Sequence, residues 1–199
     1  MTPAAALDPL ALPLHGRQVI EASAGTGKTW TLSALYLRLV LGLRDPIEPQ
    51  AALGPPLMPP QILVMTFTEA ATAELRERIR QRLSEAAQAF GPQGPGADAF
   101  LTQLRDRIQP HWHASCVQRL EHAAQWMDEA AIHTIHGWSL RMLREHAFDS
   151  QSLFAQTRLE DPESLQRQIV QDHSRRWFYP LATTDAQWIH HEVAASPKA

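Results

Sequence analysis

Residues 22 to 29 read Ala22-Ser23-Ala24-Gly25-Thr26-Gly27-Lys28-Thr29. The octet follows the apolar pair Val19 and Ile20 and precedes a helical pattern that starts at Leu32. Strand, glycine loop and helix in that order form the setting in which such a loop binds phosphate. Gly25 and Gly27 admit backbone angles that a side chain obstructs. The amides of residues 22 to 27 then turn inward around a phosphate chain. The following helix adds its unpaired N–H groups and the positive end of its dipole. In that setting Lys28 reaches the β and γ phosphates and is the candidate catalytic residue. The Thr29 hydroxyl is placed to ligate Mg²⁺. One position departs from the general pattern, which opens with glycine where this chain has Ala22.

A chain of 199 residues holds one full domain and part of another. Its formal net charge is -3, so bulk charge does not advertise nucleic acid, and any DNA contact has to be local and groove-like. The only cysteine is Cys116. That rules out an internal disulfide and fits a reducing, cytoplasmic setting. No basic segment followed by an apolar core opens the chain, so no secretory leader is expected. The longest apolar stretch, Leu32 to Leu43, is interrupted by Ser33 and Arg38. It is too short and too polar to span a membrane, so no membrane partner is expected.

The segment up to residue 18 is proline-rich, and a short strand is predicted at Arg17 to Glu21. Leu32, Leu35, Tyr36, Leu39, Val40 and Leu43 recur at helical spacing, which predicts a helix with one buried face. Gly42 and Pro46 end it. Residues 44 to 60 carry six prolines and read as a surface connection. Ile62 to Met65 reads as a strand buried on both faces. Strand, helix and strand then make a βαβ unit with a parallel sheet. Thr66 or Thr68 caps the next helix, which runs to about Ala89 with Leu75, Ile79 and Leu83 as its apolar line. Glu74 and Arg78 pair on its exposed flank, and the alternating Arg76, Arg78, Arg80 and Arg82 read mostly as a solvated face. A loop at 91–96 precedes two helices, near 97–108 and 115–127. A short strand at Ala131 to Ile135, a helix to about Phe148 and another over Asp161 to Tyr179 follow.

Two further segments sit at strand ends, where ligands bind in open α/β sheets. In Thr66-Phe67-Thr68 the hydroxyls can meet phosphates and Phe67 can stack on a base; equally, the threonines can cap a helix with Phe67 in the core. Thr134-Ile135-His136-Gly137-Trp138 repeats the layout. There His136 either contacts a phosphate or is structural, and Trp138 either stacks or packs. The glycine loop, Phe67 and His136 are expected along one sheet edge. His111, His113 and Cys116 lack a second cluster of metal ligands. Asp128-Glu129 lacks the apolar strand that presents a metal-binding carboxylate in such sites.

Together and in this order, Glu21 to Thr29, Val64 to Arg76 and Met127 to Gly137 resemble the first motifs of superfamily 1 DNA helicases of the UvrD/Rep type. Within that group they resemble the helicase–nuclease subunits of exodeoxyribonuclease V, the RecBCD type. Leu7-Asp8-Pro9-Leu10 and the stretch from Arg141 to Phe148 are similar as well, and Ala22 is then the usual residue at its position. The likeness implies a RecA-like P-loop motor domain over residues 1–139 and the start of a helical insertion domain over 140–199. It implies that Lys28 and Thr29 hold ATP and Mg²⁺. It further implies that Thr66, Phe67, Thr68, Thr134 and His136 contact single-stranded DNA at a duplex end. Partner subunits of a RecBCD-like heterotrimer, and a role in double-strand break repair and recombination, follow from the same resemblance. The metal carboxylate, arginine finger and nuclease domain of such enzymes have no counterpart in these 199 residues. Two other readings are a stand-alone P-loop kinase or NTPase and a non-catalytic nucleotide-binding module.

Overall fold

The computed structural model describes residues 7–23, 25–94, 96, 98–150, 162–178, 184 and 187. They fall into two compact units, 1–146 and 147–199. In the first, helix α1 spans Lys28–Leu41. It starts after Gly27 and stops at Gly42, whose φ of 79° lets its N–H reach the carbonyls of Arg38 and Leu39. A side chain at 42 would bring Cβ within 2.5 Å of the Gly54 carbonyl oxygen, so glycine is required for space as well as angle. The buried residues of α1 include Ala34, Tyr36, Leu37, Val40 and Leu41. Of the expected stripe, Leu32 is exposed and Leu35 and Leu39 are only half-buried. These three leucines line an open groove of about 450 Å³ beside Ile62 and Val64.

Arg38 interrupts the apolar run in the sequence, yet it is fully buried. Its guanidinium donates to the carbonyls of Pro9 (2.6 Å), Leu12 (2.6 Å) and Asp45 (2.7 Å). Burial lowers its pKa, and the charges of Asp8 and Asp45 act against that shift. One side chain thus fastens the leader to α1.

Helix α2, Glu69–Phe90, is capped by Thr68, whose Oγ1 accepts from the Ala71 N–H at 3.1 Å. Leu75, Ile79 and Leu83 are buried as their spacing predicts. The helix packs on α4, His113–Gln125, which buries Cys116, Leu120 and Ala123. Between them in sequence runs α3, Ala99–Arg107, capped by Asp98. The solvated reading of the arginines holds for Arg78, which pairs with Glu74. It fails at two positions. Arg76 donates to the Ile132 carbonyl at 3.1 Å. The Arg82 side chain is 9% exposed, lies against the rings of Trp30 and Phe100, and bonds Asp98 at 2.6 Å. Arg76 lies about 200° round the helix from Arg78 and so turns to the sheet, whereas Arg82 lies only about 40° from Arg78 and is buried because Trp30, Phe100 and Asp98 cover that end of the flank.

Strands β1, Val64–Thr66, and β2, Ile132–Thr134, pair in parallel with Thr66 opposite Thr134. The crossover between them is α2, α3 and α4, as a parallel pair requires. The expected parallel sheet is present, with two corrections. First, Ile62 to Met65 is not buried on both faces, because Leu63 and Met65 are 45% and 50% exposed. Second, residues 17–21 form no strand, and Val19 is 88% exposed. A strand needs a neighbour for its N–H and C=O groups. The sheet among the described residues contains only β1 and β2. The βαβ unit therefore runs from β1 to β2 and not from residue 17.

Helix α5, Ile135–Glu145, continues directly from β2. The second unit contains α6, Ala147–Ser150, and α7, Glu163–Phe178. Asp161 and Tyr179, the expected ends of the last helix, lie outside the described residues.

Candidate functional site

The glycine loop bends through Gly25 (φ 77°) and Gly27 (φ 86°), both left-handed. A Cβ built on either meets no atom within 4 Å, so backbone angle and not crowding demands glycine here. Lys28 opens α1, and its Nζ donates to the carbonyls of Ser23 (2.7 Å) and Ala22 (3.2 Å). Thr26 Oγ1 donates to the same Ser23 carbonyl at 2.8 Å. The ammonium therefore sits over its own loop, on a cleft of about 630 Å³ lined by Glu21, Ala22, Ser23, Thr26, Lys28 and Trp30. Thr29, one residue and about 100° further round the helix, is half-buried on a smaller hollow beside Arg82. Ala24 lies outside the described residues.

These groups suit a polyphosphate. The loop is open on the side where a side chain at 25 or 27 would project. A lysine ammonium stands at its rim, and the helix N-terminus carries no side-chain cap that would compete for its N–H groups. No group of three or more His, Cys, Asp or Glu side chains is disposed to hold a metal among the described residues. A divalent ion here would rest on phosphate oxygens and the Thr29 hydroxyl.

The two strand ends lie side by side, because Thr66 and Thr134 are paired in the sheet. Phe67 is 88% exposed, which removes the reading that places it in the core. His136 is exposed in the first turn of α5, and Trp138 is half-buried. The hydroxyls are committed to the fold. Thr66 Oγ1 bonds Thr72 Oγ1 at 2.6 Å, and Thr68 caps α2. Thr134 is 6% exposed, accepts from the Gly137 N–H at 3.0 Å and donates to Glu69 at 2.9 Å. His133, on β2 between these residues, has its pKa lowered by burial and by Arg141 and Arg76. Phe67 and His136 thus share one sheet end, as expected. The glycine loop is not joined to that sheet, for want of the strand at 17–21. Asp128 lies in a 3₁₀ turn and pairs with Arg80 on the surface, away from any strand. Cys116 is buried with its thiol pushed up to about 12 by desolvation, while the His113 ring packs on Phe90.

Sequence reasoning missed Glu69 at the strand ends and Arg82 beside Thr29 as site-building residues. Glu69 alone carried a signal, as an acid in a first helical turn three residues after Thr66.

The UvrD/REP helicase N-terminal domain matches residues 5–194. The chain belongs to that family. The glycine loop and both strand-end segments of this UvrD/REP-type chain fall inside the match. It is 47% identical over 196 residues to the RecBCD enzyme subunit RecB of Escherichia coli K12, covering 97% of this chain and 16% of that protein. The RecBCD enzyme subunit RecB of Haemophilus influenzae is 40% identical over 95% of this chain and 16% of its own length. An ATP-dependent helicase/nuclease subunit of Pelotomaculum thermopropionicum is 31% identical over 67% of this chain and 8% of its own length. The chain spans about a sixth of the RecB relatives it matches. Among the described residues, no helix is long and apolar enough to cross a membrane.

Proposed function

We propose that the chain is the nucleotide-binding front of an ATP-dependent DNA helicase–nuclease subunit of the RecBCD type. In this reading residues 1–139 belong to a RecA-like motor domain, and residues 140–199 begin its helical insertion. The loop amides of residues 22–27 and Lys28 hold the ATP phosphates, and Thr29 holds Mg²⁺. ATP supplies the free energy for movement along DNA. This chain's own residues grip it, with Lys28 moving from the Ala22 and Ser23 carbonyls onto phosphate. Phe67 stacks on a base of a single strand at a duplex end, and His136 meets its backbone with Thr66, Thr68 and Thr134 behind them. Other subunits of a RecBCD-like complex, a cytoplasmic setting and a role in double-strand break repair and recombination complete the proposal. The names of the relatives support the helicase and nuclease context.

The observation that carries the nucleotide reading is the left-handed Gly25–Gly27 loop with Lys28 over its mouth. Calorimetry with Mg-ATP tests it. Lys28→Ala removes a charge-assisted contact, about 1.5–3 kcal/mol, so affinity falls at least tenfold. Equal affinity in the two proteins sinks the assignment.

A further inference from the structure

Glu69 stands where a residue dedicated to DNA contact would not be acidic. It is the first residue of α2, two positions after the exposed Phe67. A carboxylate there repels the phosphates proposed to pass Phe67 and His136. Its structural partner explains its presence. Thr134, the last residue of β2 and the N-cap of α5, donates to Glu69 Oε1 at 2.9 Å and accepts from the Gly137 N–H at 3.0 Å. Thr134 is buried, so its hydroxyl is shielded from competing water. A hydroxyl that donates and accepts at once strengthens both bonds. A Cβ on Gly137 would lie 3.0 Å from Thr134 Oγ1 and 4.0 Å from Glu69 Oε1, so the bridge fills that corner.

We infer that Glu69 is a positioning residue whose hydrogen bond from Thr134 sets the spacing between the turn carrying Phe67 and the first turn of α5, which carries His136. The strands stop pairing at Thr66 and Thr134, and the chain then leaves the sheet on both sides. Beyond that point the bridge ties the first turn of α2 to the start of α5 across 65 residues of sequence. The function of the tie rests on the DNA-contact reading proposed above. Its existence as a coupling does not.

Two simpler roles for Glu69 predict different behaviour. If it only compensates the N-terminus of α2, or only repels DNA, then Glu69→Gln and Glu69→Ala act alike, since both remove the charge. A positioning role separates them, because the glutamine carbonyl still accepts from Thr134 and alanine does not.

The test uses the full 199-residue chain, a fluorescent oligothymidylate read by anisotropy, and amide hydrogen exchange without DNA. E69Q should bind at least as tightly as the parent, and E69A about tenfold more weakly than E69Q. E69A should exchange faster at both Phe67–Ala71 and Ile135–Gly137, whereas E69Q should not. On a Thr134→Val background, E69A should add little, as expected for two partners of one bond. Matching exchange in E69Q and E69A overturns the inference whatever the DNA result. So does matching affinity of the two for the oligonucleotide. Failure of the parent to bind the oligonucleotide, or equal binding by Phe67→Ala, would instead overturn the DNA-contact reading, and the exchange comparison would still decide the coupling.

Discussion

Arg38 offers the sharpest stability test. Arg38→Met keeps most of the side-chain volume and removes the guanidinium. Three carbonyls, of Pro9, Leu12 and Asp45, then lose their donors. Each bond to a charged donor contributes about 1.5–3 kcal/mol. The desolvation of the guanidinium opposes that sum, and carbonyls of a loosened leader regain water. The net loss should be about 3 kcal/mol. For a chain of this size that corresponds to a fall in Tm of about 6–12 °C. The damage should also be local. Leu10 is 1% exposed, its carbonyl accepts from the Ile47 N–H, and the Leu14 N–H donates to the Arg44 carbonyl. Those two amides should lose exchange protection first. Arg38→Lys should fall between the parent and methionine, because a compact ammonium cannot reproduce the guanidinium fork. Urea unfolding followed by residue-level hydrogen exchange measures both effects. A loss under about 1 kcal/mol, with the Leu14 and Ile47 amides still protected, would refute the view that Arg38 fastens the leader.

Two other predictions concern charge and turnover. Burial pushes the Asp98 carboxyl up, but hydrogen bonds from Arg82 and the Leu101 amide outweigh it and leave the pKa below the ordinary value. A depressed carboxylate stabilises the fold above its unfolded pKa, about 3.9, and that stability is lost as pH falls through the folded value. Asp98→Asn keeps the α3 cap, so its urea midpoint should lie below the parent's at pH 7 and converge on it as pH falls through the depressed folded pKa, below the ordinary carboxylate range. A pH-independent gap would contradict this. Second, hydrolysis needs a metal carboxylate, an oriented water and an arginine, the last worth about 10³–10⁵ in rate. This polypeptide alone should show background phosphate release with or without single-stranded DNA; DNA-stimulated, Lys28-dependent turnover would reveal an overlooked carboxylate.

What the sequence reveals here is chiefly local. The glycine loop, the Thr68 cap, the Leu75–Ile79–Leu83 line and the Gly42 stop all depend on residues within a turn or two of one another. They stand in the structure where spacing puts them. The strand at 17–21 does not form, because pairing depends on a neighbour far away in sequence and apolar pattern cannot supply one. Leu63 and Met65 read as doubly buried for the same reason: an apolar run records a preference and not the presence of a covering layer. Arg38 reads as a break in an apolar stretch and Arg82 as part of a solvated face. Burial of a guanidinium is decided by converging carbonyls, carboxylates and rings from separate segments, which no local pattern displays. At the candidate site, the strand-to-turn-to-helix order places Phe67 and His136 at one sheet end, and the paired ends of β1 and β2 bear that out; the glycine loop does not join them. The Glu69–Thr134 bond joins residues 65 apart; an acid in a first helical turn marks Glu69, but nothing local names Thr134 as its partner.

In the proposed function, ATP phosphates seat on the loop from Gly25 to Thr29. Amide NMR of the chain titrated with Mg-ATP addresses it directly. Saturable shifts should concentrate at Gly25, Thr26, Gly27, Lys28 and Thr29, and Lys28→Ala should abolish them at the same nucleotide concentration. Saturable shifts that bypass these amides, or that persist in the Lys28→Ala protein, would contradict the account.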